Sequence, residues 1–288
     1  MALTDMTTNT FYKGEDGGLY GGGLNDPPLG HREAAELELA KIKPLEIRGN
    51  YSPVGKIVLI SIGMSNTTQE FSVFKRLADT DLGKSSNVVI VDGAQGGQTA
   101  SIWANQYNPW QVLAQRLQSS NVTPAQVQVA WVKLADALPN EAFPAEAKKL
   151  QAELVTIMRL LKERYPNVRV VYLSSRIYGG YSTTTLNPEP YAFESAFSIR
   201  WLIQAQISGE SDLNYNPDKG PVMSPILLWG PYLWADGLNP RNDGLIWERS
   251  DLSPQDGTHP SDSGREKVAR ILLDFFKTND LAWVWFAK

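Results

Sequence analysis

Cysteine is absent from the 288-residue chain. That excludes disulfide frameworks, thiolate metal sites, iron–sulfur clusters and cysteine nucleophiles. Histidine is nearly absent: His31 and His259 are the only two. A metal site built on two or three histidines is therefore all but ruled out, and a mechanism that needs a histidine base has almost no choice of residue. No basic block occurs and the net charge is −4, so nothing asks for nucleic acid or an anionic membrane as partner. No apolar run approaches the ~18–20 residues of a membrane span. The polar, glycine-rich stretch from Met1 to Tyr20 has no signal-peptide core. A secreted or periplasmic protein whose signal had been removed would read the same way.

What is present is an ordinary globular composition, 42% hydrophobic and 20% charged, in a chain long enough for one large core. Residues 1–55 differ from the rest. Gly17, Gly18, Gly21, Gly22 and Gly23 cluster there, followed by Pro27 and Pro28. This stretch reads as an irregular N-terminal extension that wraps the remainder, with one helical segment near Arg32 to Ile42. Residues 56–288 read as one α/β domain.

Within that domain, short apolar, β-branched runs alternate with longer helical stretches. The runs are Lys56 to Ile62, Asn87 to Asp92, Val127 to Leu134, Val168 to Ser174 and Pro225 to Trp229. Each is almost continuously hydrophobic rather than alternating, as expected of parallel strands covered on both faces. Helices are expected over Thr68 to Leu77, Trp110 to Leu117, Pro144 to Tyr165, Tyr191 to Ser208 and Ser261 to Phe276. The third is the clearest: Leu150, Leu154, Ile157, Leu161 and Tyr165 make one apolar stripe. The β–α alternation predicts a doubly wound, three-layer α/β/α sandwich around a five-stranded parallel sheet, flavodoxin-like in outline.

In such sheets ligands bind outside the carboxyl ends of the strands, so the loops there carry the candidates. Gly63-Met64-Ser65-Asn66-Thr67 follows the first strand. Ser65 either projects its hydroxyl at the sheet edge, with its own N–H facing a nascent oxyanion, or simply caps the next helix. Asp92 to Thr99 follows the second strand, and its glycines let backbone N–H groups approach a ligand. It has neither the G-x-G-x-x-G pattern nor a following G-K-[ST], so a nucleotide cofactor is not indicated. Gln255-Asp256-Gly257-Thr258-His259-Pro260-Ser261 precedes the last helix. Its Asp and His, three apart, can orient one another: the carboxylate takes one ring nitrogen and leaves the other to accept a serine proton. Pro260 and Ser261 at the same time begin the helix.

These segments together resemble the SGNH hydrolases, the GDSL esterase/lipase superfamily. The resemblance rests on Ser65 in G-M-S-N-T, Gly97 in G-G-Q-T, and Asp256 with His259 in D-G-T-H-P-S, and it runs from Lys56 to about Lys277. It implies the SGNH fold, no cofactor and no metal. It also implies a serine nucleophile at Ser65, a base at His259, its orienter at Asp256, and an oxyanion hole from the Ser65 and Gly97 amides. Two departures stand out. Met64 occupies the place of the family's usual Asp. The family's third-block Asn, a side-chain oxyanion donor, has no counterpart in Ala130 to Asp136; Lys133 is the residue most nearly in register. Lys133 is expected to be a solvent-facing strand end or a partner of Asp136, leaving the hole to backbone amides.

The loop after the fourth strand, Ser175 to Tyr191, and the segment from Trp229 to Trp247 are rich in aromatic and polar residues. Arg176, Tyr178 and Trp234 are candidate substrate-binding residues there, with Lys133 beside them; Arg176 either holds a substrate carboxylate or pairs with Glu194. Flat aromatic faces beside polar groups suit sugars. The expected function is hydrolysis of a carboxylic ester through an acyl-enzyme, with a small-molecule or glycan ester, such as a carbohydrate acetate, as substrate. The alternative is a carbohydrate-binding protein that keeps the scaffold without the catalysis.

Overall fold

The computed structural model describes all 288 residues. Five strands form at the five expected runs: β1 (Ile57–Gly63), β2 (Val88–Val91), β3 (Val127–Lys133), β4 (Val170–Leu173) and β5 (Ile226–Trp229). All are parallel, in the order β2-β1-β3-β4-β5. Every residue of β1, β3, β4 and β5 is buried, because helices cover both faces of the sheet.

Strand parity separates the two faces. Val58, Ile60 and Ile62 join one core cluster with α4 (Asn108–Ser119), α5 (Ala145–Arg164) and α6 (Tyr191–Ile207). Ile57 and Leu59 join the other, with α2 (Ser65–Thr80), α7 (Asp262–Thr278) and the terminal turn α8 (Trp283–Phe286). The α5 stripe is buried throughout, from Leu150 to Tyr165. Two short helices lie outside the expected set: α3 (Ala100–Asn105) and α8. Both are too short for an apolar period to declare itself. The helix of the N-terminal arm, α1 (Leu29–Leu39), starts a few residues before the expected segment.

The arm is knitted into the domain. Leu3, Met6, Leu19 and Tyr20 belong to the same core cluster as α5 and α6. Arg200 of α6 donates to the Asp16 carbonyl at 2.6 Å and pairs with Glu15, and Gln204 donates to the Tyr20 carbonyl at 2.8 Å. This cover explains why α6 is buried almost all round, a pattern that carries no one-sided stripe. His31 reaches the end of the sheet, its Nε2 2.8 Å from the Leu227 carbonyl, and burial holds its pKa below the usual value.

With β2 and β3 on opposite sides of β1, the chain reverses its direction of winding beside β1. The crevice at that point, outside the carboxyl ends of β1 and β3, is where a doubly wound sheet holds ligands.

Candidate active site

β1 ends in Gly63, where a Cβ would stand 2.4 Å from the Thr67 side chain. Glycine thus lets the first turn of α2 fold directly back on the strand. Met64 is the residue that caps α2, with no side-chain hydrogen bond, and Ser65 is its first helical residue. The Ser65 hydroxyl is not spent on capping. It lies 2.8 Å from His259 Nε2.

His259 is held from behind. Its Nδ1 is 2.6 Å from Asp256 Oδ2, and its backbone N–H donates to Asp256 Oδ1 at 3.0 Å. An ionised carboxylate can only accept, so Nδ1 carries the proton and Nε2 presents a lone pair to the serine hydroxyl. Burial pushes the Asp256 carboxyl up, but hydrogen bonds from the Thr258 N–H, the His259 ring and the His259 N–H outweigh it and hold the pKa below the usual value. The loop itself is clamped onto the long loop after β4. Thr183 N–H donates to the Asp256 carbonyl at 2.9 Å, and the hydroxyls of Ser182 and Thr258 are 2.7 Å apart. Between them Gly257 has φ +61°, and a Cβ there would lie 1.9 Å from the Tyr181 carbonyl oxygen, so no other residue fits. Ser261 caps α7, its hydroxyl facing the Gly264 N–H.

The glycine-rich loop after β2 is drawn against the same point. Gln95 N–H donates to the Gly63 carbonyl at 3.0 Å. Arg116 Nη1 holds the carbonyls of Asp92 and Ala94 at 2.7 and 2.8 Å. Gly97 adopts φ +74°, and neither its N–H nor that of Ser65 is taken by an acceptor in the protein.

These groups share one cleft of about 330 Å³. Met64 after β1 contributes, with Ser65 and Asn66 from the first turn of α2; the loop after β2 gives Gly97 and Thr99, and that after β3, Asp136 and Ala137. Arg176, Leu186 and Asn187 come from the loop after β4, and Thr258 and His259 from the segment before α7. Asn66 is buried beside the serine. Its Oδ1 accepts from the Thr67 N–H at 3.0 Å, which fixes the amide's orientation, and its Nδ2 has no partner. Asn66 was legible as a polar neighbour of Ser65, but nothing in the local pattern tells which way an amide at that position turns. A larger hollow of about 640 Å³ beside α1 contains His31 and none of the Ser65 group. No three His, Cys, Asp or Glu side chains cluster in a way that could hold a metal ion, and no helix is long and apolar enough to cross a membrane.

The other expected residues disperse. Lys133 is neither exposed nor paired with Asp136. Its side chain is completely buried, with Nζ 2.6 Å from Glu70 Oε1 and in contact with Oε2 as well. Strand parity is the reason: Lys133 shares the face of Val129 and Trp131, which α2 covers, so the ammonium meets Glu70 of that helix and stays out of the cleft. Burial pulls Lys133 down to about 8 and pushes Glu70 up, each opposed by its partner's charge. Asp136 instead faces Lys149 at 3.3 Å. Tyr178 and Trp234 line a neighbouring hollow with Met1, Met6, Phe11 and Tyr12 of the arm, and the Trp234 indole donates to Glu189 at 2.7 Å. Trp229 and Trp247 spend their indole N–H groups on the Leu19 and Leu233 carbonyls. Only Arg176 of the substrate-binding candidates enters the cleft, and Glu194, the alternative partner the sequence offered it, is taken by Lys13 and Tyr12.

The Lys133–Glu70 pair makes a prediction about stability. Lys133→Met leaves a carboxylate buried without its counter-charge, and the expected loss is about 3–5 kcal/mol, whereas replacing both partners by apolar residues is nearly neutral. Denaturant unfolding of Lys133→Met and of Lys133→Met with Glu70→Leu measures both. Equal destabilisation in the two proteins would contradict the pairing.

No protein-family model matches the chain, and no curated protein matches it. Among solved structures, a Bacillus subtilis protein aligns with 78% of the chain at a TM-score of 0.40 and 12% identity. An Arabidopsis thaliana protein aligns with 75% at 0.38 and 12% identity. The chain spans 57% and 65% of the lengths of these two. A carbohydrate esterase family 3 protein from Talaromyces cellulolyticus aligns with 75% of the chain and 94% of its own length, at a TM-score of 0.41 and 14% identity. Likeness this distant carries no weight for chemistry, which rests on the geometry of the cleft.

Proposed function

We propose that the chain is a serine-dependent carboxylic ester hydrolase of the SGNH type. The observation that carries this reading is the unbroken relay from Ser65 Oγ through the His259 ring to Asp256, at 2.8 and 2.6 Å, opening into a cleft with unoccupied N–H donors. Ser65 is the nucleophile. His259 Nε2 takes the hydroxyl proton as Oγ attacks the ester carbonyl, and returns it to the departing alcohol. Asp256 keeps the ring in the needed tautomer and balances the imidazolium that forms. Water then attacks the acyl-enzyme with His259 again as base, releasing the acid and restoring Ser65.

The Ser65 and Gly97 amides are suited to the oxyanion, since both N–H groups are unoccupied at the rim of the nucleophile. Asn66 Nδ2 is buried beside Ser65 without an acceptor, and Lys133, whose ammonium is committed to Glu70, does not replace the family's third-block Asn. The cleft is small, near the low end of ligand-pocket volumes, which favours a short acyl group such as acetyl. A sugar platform has less support, because Tyr178 and Trp234 lie in the neighbouring hollow.

Covalent labelling tests this directly. A fluorophosphonate probe is expected to label the protein once, at Ser65, and to abolish hydrolysis of 4-nitrophenyl acetate. Absence of labelling together with absence of turnover would favour a binding protein on the same scaffold.

A further inference from the structure

Arg176 is 4% exposed and lines the cleft that holds Ser65 and His259. A buried guanidinium is normally matched by carboxylates or carbonyls, because an unmatched buried charge is costly. This one is not matched. Its Nε is buried without a hydrogen-bond partner, and no carboxylate comes within ion-pair distance. The two carboxylates near enough to influence it are engaged elsewhere. Glu70 is held by Lys133. Glu189 accepts from the Gly179 N–H, the Phe193 N–H and the Trp234 indole, at 2.8, 3.1 and 2.7 Å. Asp136 also lines the cleft, but its charge is offset by Lys149. Burial lowers the Arg176 pKa to about 10, with Glu70 and Glu189 opposing, so the group is cationic at neutral pH.

We infer that Arg176 is an anion-recognition residue, and that the ester turned over in this cleft carries a carboxylate that the guanidinium binds. The inference rests on the ester-hydrolase reading for its site, and it deepens that reading by naming a substrate class. A planar guanidinium matches a carboxylate through paired N–H donors. In the unliganded protein the cost of the unmatched charge is borne by the fold, as happens where a site is prepared for its ligand. The carboxylate can belong to the acyl half, as in a dicarboxylic half-ester, or to the alcohol half. The distinction is open to experiment.

The test compares Arg176→Met and Arg176→Lys with wild type on three esters: neutral 4-nitrophenyl acetate, the mono-4-nitrophenyl ester of succinic acid, and 4-acetoxybenzoate. Arg176→Met is expected to lower kcat/KM about a hundredfold on one of the two anionic esters, the loss of one partner of a desolvated charge pair. The readout is the ratio of kcat/KM on that anionic ester to kcat/KM on the neutral one, which should fall at least about thirtyfold, or ~2 kcal/mol, whatever the variant does to the neutral rate. The succinyl ester falling assigns the carboxylate to the acyl side; the acetoxybenzoate falling assigns it to the alcohol side. Arg176→Lys should recover part of the loss. Arg176→Met should also melt a few degrees higher than wild type, since an unmatched charge has gone.

Equal losses on neutral and anionic esters, no loss on either anion, a lower melting temperature, or misfolding of both variants would each overturn the assignment. Binding separates it from the hydrolase reading. In Ser65→Ala protein, succinate or 4-hydroxybenzoate should raise the melting temperature, and in Ser65→Ala with Arg176→Met it should not. A shift that depends on Arg176 in a protein whose Ser65 never labels would remove the hydrolase and leave the anion site. Labelling and turnover with no such shift would do the reverse.

Discussion

Ser65→Ala is expected to lower kcat for ester hydrolysis by about six orders of magnitude, the loss seen when the nucleophile of such a triad is removed. The fold should persist. Ser65 caps nothing: Met64 precedes it as the helix cap, and its one side-chain hydrogen bond is to His259. Alanine is also the best helix former and sits well at the first helical position. Melting temperature should therefore change little while turnover vanishes. A variant that keeps more than about a tenth of the activity has lost only ~1.4 kcal/mol of barrier stabilisation, and Ser65 would then not be the nucleophile. The residual rate above background measures what the amide donors and binding supply without the serine.

Asp256→Asn is expected to cost about four orders of magnitude in kcat with the loop intact. The side-chain oxygen of Asn can still accept from the Thr258 and His259 N–H groups, which together fix the loop. The amide nitrogen would then face His259 Nδ1 and oblige it to accept. The ring proton moves to Nε2, which donates toward Ser65 instead of accepting from it, so the base is lost without displacement of any heavy atom. The same geometry gives a pH expectation. A carboxyl whose folded pKa is depressed stabilises the protein above its ordinary value, and that contribution is lost as pH falls through the folded pKa. In wild type Asp256 thus stays ionised below the pH at which an ordinary carboxyl takes up its proton, and its contribution to stability persists there. Retention of substantial rate by Asp256→Asn, measured as kcat on 4-nitrophenyl acetate, would show that His259 is oriented by another group.

The parts of this protein that the sequence by itself determined are those governed by short-range periodicity and spacing. Continuous apolar runs marked all five strands, because a strand covered on both faces has no polar side to show. The stripe from Leu150 to Tyr165 marked α5, because a helix packed on a sheet buries one side. Asp256 and His259 stand three residues apart on one turn-rich loop, so their contact is a local matter, and Ser65 is brought to them once a strand–turn–helix places it at the sheet's edge.

Tertiary structure decided whatever depends on which surface lies opposite. Lys133 looked like a strand end facing solvent, yet its parity turns it toward α2, and only the packed helix supplies Glu70. Tyr178 and Trp234 read as a ligand platform, but the N-terminal arm closes over them and they line its hollow instead. Arg176 had a plausible partner in Glu194 until the arm delivered Lys13 and Tyr12 to that carboxylate. A charged side chain finds its partner by distance in space, across Coulomb interactions that deepen with burial, and distance in space between residues far apart in the chain is set only when the layers pack.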